Sequence, residues 1–135
     1  MNSSVDEMTP RSSEAVAKES VKLLLEKLGQ DVKLYDVRDS EAITDFYVVA
    51  TGRSLTHVAS LADELCERLS QYGWQAARIE GKRGNSWILV DYLDVIVNIF
   101  DKESRGFYNF DRLMPKESEG AITELVSAVD KKFEQ

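Results

Sequence analysis

The chain reads as a single α/β domain, a five-stranded mixed sheet flanked by helices. Two long segments place apolar residues at helical spacing, at Ala17, Val21, Leu24, Leu25 and Leu28 and again at Val58, Leu61, Ala62, Leu65, Leu69 and Tyr72. Five short segments have the composition of strands. The order helix, strand, strand, helix and then three strands lets the second helix cross over between parallel strands two and three, which makes the sheet mixed.

The chain has 135 residues, enough for one core that buries roughly two thirds of the unfolded surface. Apolar residues make up 43% and charged ones 30%, ordinary values for a soluble globular protein. No apolar run approaches the ~20 residues of a membrane helix, so no membrane is expected. The opening MNSSVDEMTPRSSE has neither an apolar signal core nor an arginine-rich transit character, and the single cysteine, Cys66, fits a reducing compartment. The cytosol is expected. A net charge of −7 argues against a general grip on nucleic-acid phosphates and favours a basic protein partner.

Residues 1–12 form a Ser-rich polar tail expected to stay mobile. From Glu14 to Leu28 an amphipathic helix follows, with Gly29 as its stop. Val32 and Leu34 alternate with Lys33 and Tyr35 in a half-buried strand over Asp31 to Val37. Phe46 to Ala50 is apolar at consecutive positions, the mark of a central strand covered on both faces. Ser54 caps the second helix and Gly73 ends it. Strands are then expected over Trp74 to Ile79, Trp87 to Val90 and Val95 to Phe100, with EGKRGNS as one loop and Asp91-Tyr92-Leu93-Asp94 as a four-residue hairpin connection. Phe107, Phe110 and Leu113 predict a short helix before Pro115, with both phenylalanines packed in the core. Ile122, Leu125, Val126, Val129 and Phe133 predict a helical extension within 116–135.

Chemistry-bearing candidates are few. TGRS at a strand-to-helix junction resembles the entry of nucleotidyltransferases, yet Asp91 and Asp94 stand three apart, and carboxylates on one strand face need a spacing of two. A turn or a binding surface suits them better. GKRGNS lacks the order of a phosphate loop. His57 has no second ligand at metal spacing, and Cys66 fits a core filler. No catalytic residue, metal or cofactor is expected. Arg78, Lys82 and Arg83 near Trp74 and Trp87 could make a minor contact with ribonucleic acid. Tyr92, in a turn, is the aromatic expected at an interface.

DVRDSEAITDFYVVATGRS (36–54), ARIEGKRGNSWILVDYLDVIVNIF (77–100) and RGFYNFDRL (105–113) follow, in order and spacing, the pattern of the ribosomal silencing factor (Iojap) family, which the chain resembles across roughly 14–115. Asn98 stands where the family commonly has His, and Met114 where Trp often closes the last segment. The resemblance implies a domain over 13–115 with a sheet distantly like that of nucleotidyltransferases but without their carboxylates. It also implies a non-enzymatic translation repressor that binds the large ribosomal subunit through ribosomal protein fourteen and blocks joining of the small subunit, with homodimers in some members. A nucleotidyltransferase and a general adaptor for a basic protein are the alternatives. The partner-binding candidates are Trp87, Asp91, Tyr92, Leu93, Asp94 and Arg105. Asp91 and Asp94 are expected to frame a turn that presents Tyr92 and Leu93.

Overall fold

The structure, a computed structural model, describes residues 10–119. The chain runs α1 (Ser13–Glu26), β1 (Gln30–Asp36), β2 (Phe46–Gly52), α2 (Leu55–Ser70), β3 (Arg78–Glu80), β4 (Trp87–Asp91), β5 (Val95–Asp101) and α3 (Lys102–Tyr108), followed by 3-10 turns at Phe110–Leu113 and Lys116–Ser118. The apolar residues between 122 and 133, with the helix expected there, lie outside the described residues.

One sheet carries all five strands, in the order β1-β2-β5-β4-β3. β2 and β5 run parallel and every other neighbouring pair is antiparallel. Strands two and three therefore share a direction, as expected, but β5 and β4 lie between them. β3 is also shorter than the expected Trp74 to Ile79. Trp74 leaves the sheet and stacks on Tyr72 at 4.5 Å, buried under the end of α2.

Alternation along each strand divides the side chains between two faces. Phe46, Val48, Ala50, Ile88, Val90, Val95, Val97 and Ile99 point to the face covered by α1 and α2, where Val21, Leu24, Leu61, Leu65 and Leu69 meet them. Each such aliphatic side chain contributes roughly 1.5–3 kcal/mol on burial, so this layer dominates stability. On the opposite face Tyr35, Val37, Val49 and Phe100 form a smaller cluster, closed by Tyr47, Trp87, Phe110 and Met114. Met114 thus packs into this cluster.

Helix boundaries follow from capping. The Ser12 and Ser54 hydroxyl oxygens accept the Ala15 and His57 backbone N–H groups at 3.0 and 3.1 Å. His57 Nδ1 accepts the Arg53 N–H at 2.9 Å, which leaves the proton on Nε2 to donate to the Lys27 carbonyl and ties α2 to the end of α1. At that end Leu28, not Gly29, takes the left-handed conformation (φ +68). Gly29 is needed for space instead, because a Cβ there would press on the Leu24 carbonyl oxygen. Gly52 of TGRS has a similar reason: a Cβ would come within 2.7 Å of Val58 Cγ2, so the glycine lets β2 run tightly into α2.

Ser54→Ala is expected to cost about 1 kcal/mol, the usual loss for a deleted cap, measured as a lower urea midpoint at unchanged slope.

Candidate functional site

The opposite ends of the parallel strands carry two polar clusters. At the end where β2 and β5 begin lies the β4–β5 hairpin. Asp91 belongs to β4, pairing with Arg78 and Ile96 in the ladder, so the connection is three residues, Tyr92 to Asp94, and not four. Leu93 sits at its tip with φ +78, a costly conformation for a branched side chain. It is held there by Asp91, whose Oδ1 accepts the Leu93 N–H at 2.7 Å. Asp91 Oδ2 also faces Arg78 Nη2 at 3.3 Å.

Tyr92 is not presented. It is 2% exposed because it continues the alternation of Ile88 and Val90 and so turns toward α2. Its hydroxyl lies within reach of the Cys66 thiol, and burial pushes both groups above their ordinary pKa values. Leu93, by contrast, is 68% exposed.

Asp94 is bound from an unexpected direction. Arg11 donates through Nη1 and Nη2 to its two carboxylate oxygens, each at 2.7 Å, and through Nη2 to the Tyr92 carbonyl at 3.2 Å. These bonds hold the Asp94 carboxyl below the usual carboxylate range, against the opposing effect of burial. Of the tail expected over 1–12, the described end is engaged: Arg11 grips the hairpin and Ser12 caps α1. The Asp94 carbonyl in turn accepts the Asp45 and Phe46 N–H groups at 3.0 and 3.3 Å, which sets the loop before β2 beside the hairpin. Within that loop Ile43 is 86% exposed, whereas its neighbour Thr44 is 4% exposed.

At the other end Arg105 is buried, contrary to its expected place at an interface. α3 turns it toward the sheet, where Nη1 donates to the Thr51 hydroxyl at 2.9 Å and the Asp31 carbonyl at 2.7 Å. Nε and Nη2 grip Asp111 at 3.1 and 2.8 Å, and the Tyr35 hydroxyl adds a bond to Asp111 at 2.8 Å. Burial pushes the Asp111 carboxyl up, but the bonds from Arg105 and Tyr35 outweigh it and bring the group below its ordinary value. Trp87 is half-buried between Phe100 and Tyr108, at ring distances of 4.8 and 4.7 Å, and donates its indole N–H to Asn98 Oδ1 at 2.9 Å. Asn98 supplies that acceptor from the neighbouring strand.

The expected packing of the two phenylalanines is half corrected. Phe110 packs against Tyr47 and Phe100, but Phe107 is 79% exposed. In a helix of seven residues the buried position falls to Arg105, while Tyr108 reaches Trp87 from a half-exposed site and Phe107 projects away from the sheet. The basic patch also dissolves. Lys82 pairs with Asp63 at 2.7 Å, Arg78 with Glu80 and Asp91, and the two tryptophans lie on opposite sides of the sheet. Sequence spacing missed Arg11, Asp31, Thr51 and Asp111, since their partners are distant along the chain or follow an irregular turn.

A sequence model of the family described as "Ribosomal silencing factor during starvation" matches residues 10–135. The chain belongs to this family. It is 34% identical to the ribosomal silencing factor of Haemophilus influenzae over 69% of this chain and 95% of that protein. With the one from Zymomonas mobilis it is 32% identical over 69% and 73% of the two chains. A crystal structure of a protein from Chromobacterium violaceum superposes with a TM-score of 0.74 at 26% identity, covering 77% of this chain and 87% of that one. One from Bacillus halodurans superposes at 0.68 and 27% identity, covering 76% and 95%. The fold is therefore shared with both over about three quarters of this chain.

Two outcomes follow for these clusters. Because the folded Asp111 carboxyl titrates below its unfolded value of roughly 3.9, its contribution is complete above about pH 4 and fades as pH falls through the folded value. The stability difference between parent and Asp111→Asn should shrink in that acid window in urea melts. Arg11→Ala should move the Asp94 carboxyl titration upward, read by NMR; an unmoved titration would show that the clamp does not form in solution.

Proposed function

We propose that this chain binds the large ribosomal subunit through ribosomal protein fourteen, on the surface that meets the small subunit, and represses translation by obstructing the joining of the two. The observation that carries this reading is the family match over residues 10–135. A mouse relative, 24% identical over 69% of this chain and 42% of its own length, is named for mitochondrial assembly of the ribosomal large subunit, which supports the choice of subunit. We place this action in the cytosol.

The physical chemistry supports the same partner class. A net charge of −7 steers the chain toward a basic protein and away from exposed phosphates. Leu93, held outward at a strained and tightly bonded tip, offers a short-range anchor. Of the six partner-binding candidates, Leu93 and the half-buried Trp87 keep exposed surface, Asp94 is held by Arg11, and Asp91, Tyr92 and Arg105 act from within by shaping the hairpin and the α3 cap. A minor contact with ribosomal RNA would draw on the exposed Arg83. Steric obstruction needs one copy per subunit and is indifferent to self-association.

The nucleotidyltransferase alternative is weaker. Asp91 and Asp94 are engaged with Leu93 N–H, Arg78 and Arg11, and among the described residues no group of three or more His, Cys, Asp or Glu side chains could hold a metal ion. Gly52 has a packing reason, so TGRS needs no phosphate to explain it.

Added to purified large subunits before small ones, the protein should reduce joined particles in sucrose gradients, and it should do much less to particles already joined. Equal dissociation of preformed particles would contradict a steric block. Leu93→Ala should weaken binding to isolated large subunits by about 1–2 kcal/mol while its thermal melt stays at the parent value.

A further inference from the structure

We infer that Ile43 and Leu93 form a two-point apolar anchor at one end of the sheet, which seats in an apolar recess of a basic protein surface. This rests on the ribosomal reading above and extends its contact area from the hairpin to the loop before β2.

The first observation is an inversion at adjacent positions. Thr44 is buried, with its hydroxyl oxygen lacking a hydrogen-bond partner, while Ile43 beside it projects into solvent. Burial preferences run the other way, so the arrangement opposes stability at both residues. The second is Leu93, which combines exposure with φ +78. Strain of this kind persists where surrounding bonds impose it, and it gathers at recognition sites. Here Asp91 Oδ1 and the Arg11–Asp94 clamp impose it.

The third observation is that the segments carrying the two residues are bonded to each other. The Asp45 and Phe46 N–H groups converge on the Asp94 carbonyl, and Arg38 braces the loop by stacking its guanidinium 4.8 Å above the Phe46 ring. Backbone segments already fastened to each other lose less freedom on docking than free ones. The fourth concerns charge. Asp39 and Glu41 are exposed in the same loop, whereas its nearby guanidiniums are already matched, Arg38 with Asp36 and Arg11 with Asp94. The surround is acidic, which fits a basic polypeptide and repels a nucleic-acid backbone.

The test measures binding of the parent and of single variants to isolated large ribosomal subunits, at low and at raised salt, with thermal melts alongside. Because Ile43 is exposed, Ile43→Ser should melt like the parent yet bind at least about tenfold more weakly, as truncated anchors do. Leu55→Ser, at an exposed site by the opposite end of β2, should bind like the parent. Ile43→Lys should bind more weakly than Ile43→Ser, with the gap closing as salt rises. If the parent binds and Ile43→Ser binds equally well, the anchor is refuted and the ribosomal reading stands. Equal losses in Ile43→Ser and Leu55→Ser would also refute it, since the effect would not be local. An Ile43→Lys variant no weaker than Ile43→Ser would overturn the basic character of the partner. A parent that binds no large subunits would overturn the ribosomal reading and the anchor with it.

Discussion

The parallel pairing of β2 with β5 constrains the rest of the molecule. Phe46 to Gly52 lie in register against Val95 to Asp101, and both strands are apolar on both faces. Parallel neighbours cannot be joined by a tight turn, so the intervening chain must supply a crossover, which α2 provides before β3 and β4 return to the sheet. Two buried faces need two covers. α1 and α2 make a full one; the other consists of the short α3 and the turn at Phe110–Leu113. The same register sets the polar clusters, since the starts of the paired strands bring Asp45 to Asp94 and their ends bring Thr51 to α3.

Much of this architecture is legible in the sequence because burial imposes periodicity. The stripes of α1 and α2, the Ser54 cap and the consecutive apolar residues of β2 and β5 each have one satisfactory interpretation. β3 is less legible: Trp74 and Ala76 have strand-like composition, but an indole stacked on Tyr72 gains more from the α2 side than from a ladder position. The order of strands is also beyond local pattern, because two of them lie between β2 and β3 without any mark at either sequence position.

For the candidate site the limits are different. Tyr92 lies in a turn and so reads as exposed, although the alternation Ile88, Val90, Tyr92 points it inward. Arg105 looked like a surface cation because charge is usually solvated. Its burial depends on Asp111, Thr51 and Asp31 converging from three segments, a fact of tertiary structure alone. Ile43 has no sequence signal at all, since an isoleucine between Ala42 and Thr44 reads equally well as core. Leu93 follows the expectation of exposure at the tip of a connection framed by aspartates.

The sheet's two margins have a consequence for self-recognition. β3 is three residues long, with Arg78 and Glu80 at its ends, so an incoming strand would meet charges and find little length to pair with. β1 carries a register shift between Gln30 and Lys33, and Tyr35 already pairs with Glu119. An additional chain therefore finds neither margin ready to accept it. Sheet extension, with the fibrous aggregation it can seed, is opposed at both sides, and any association between copies is directed to faces and loops.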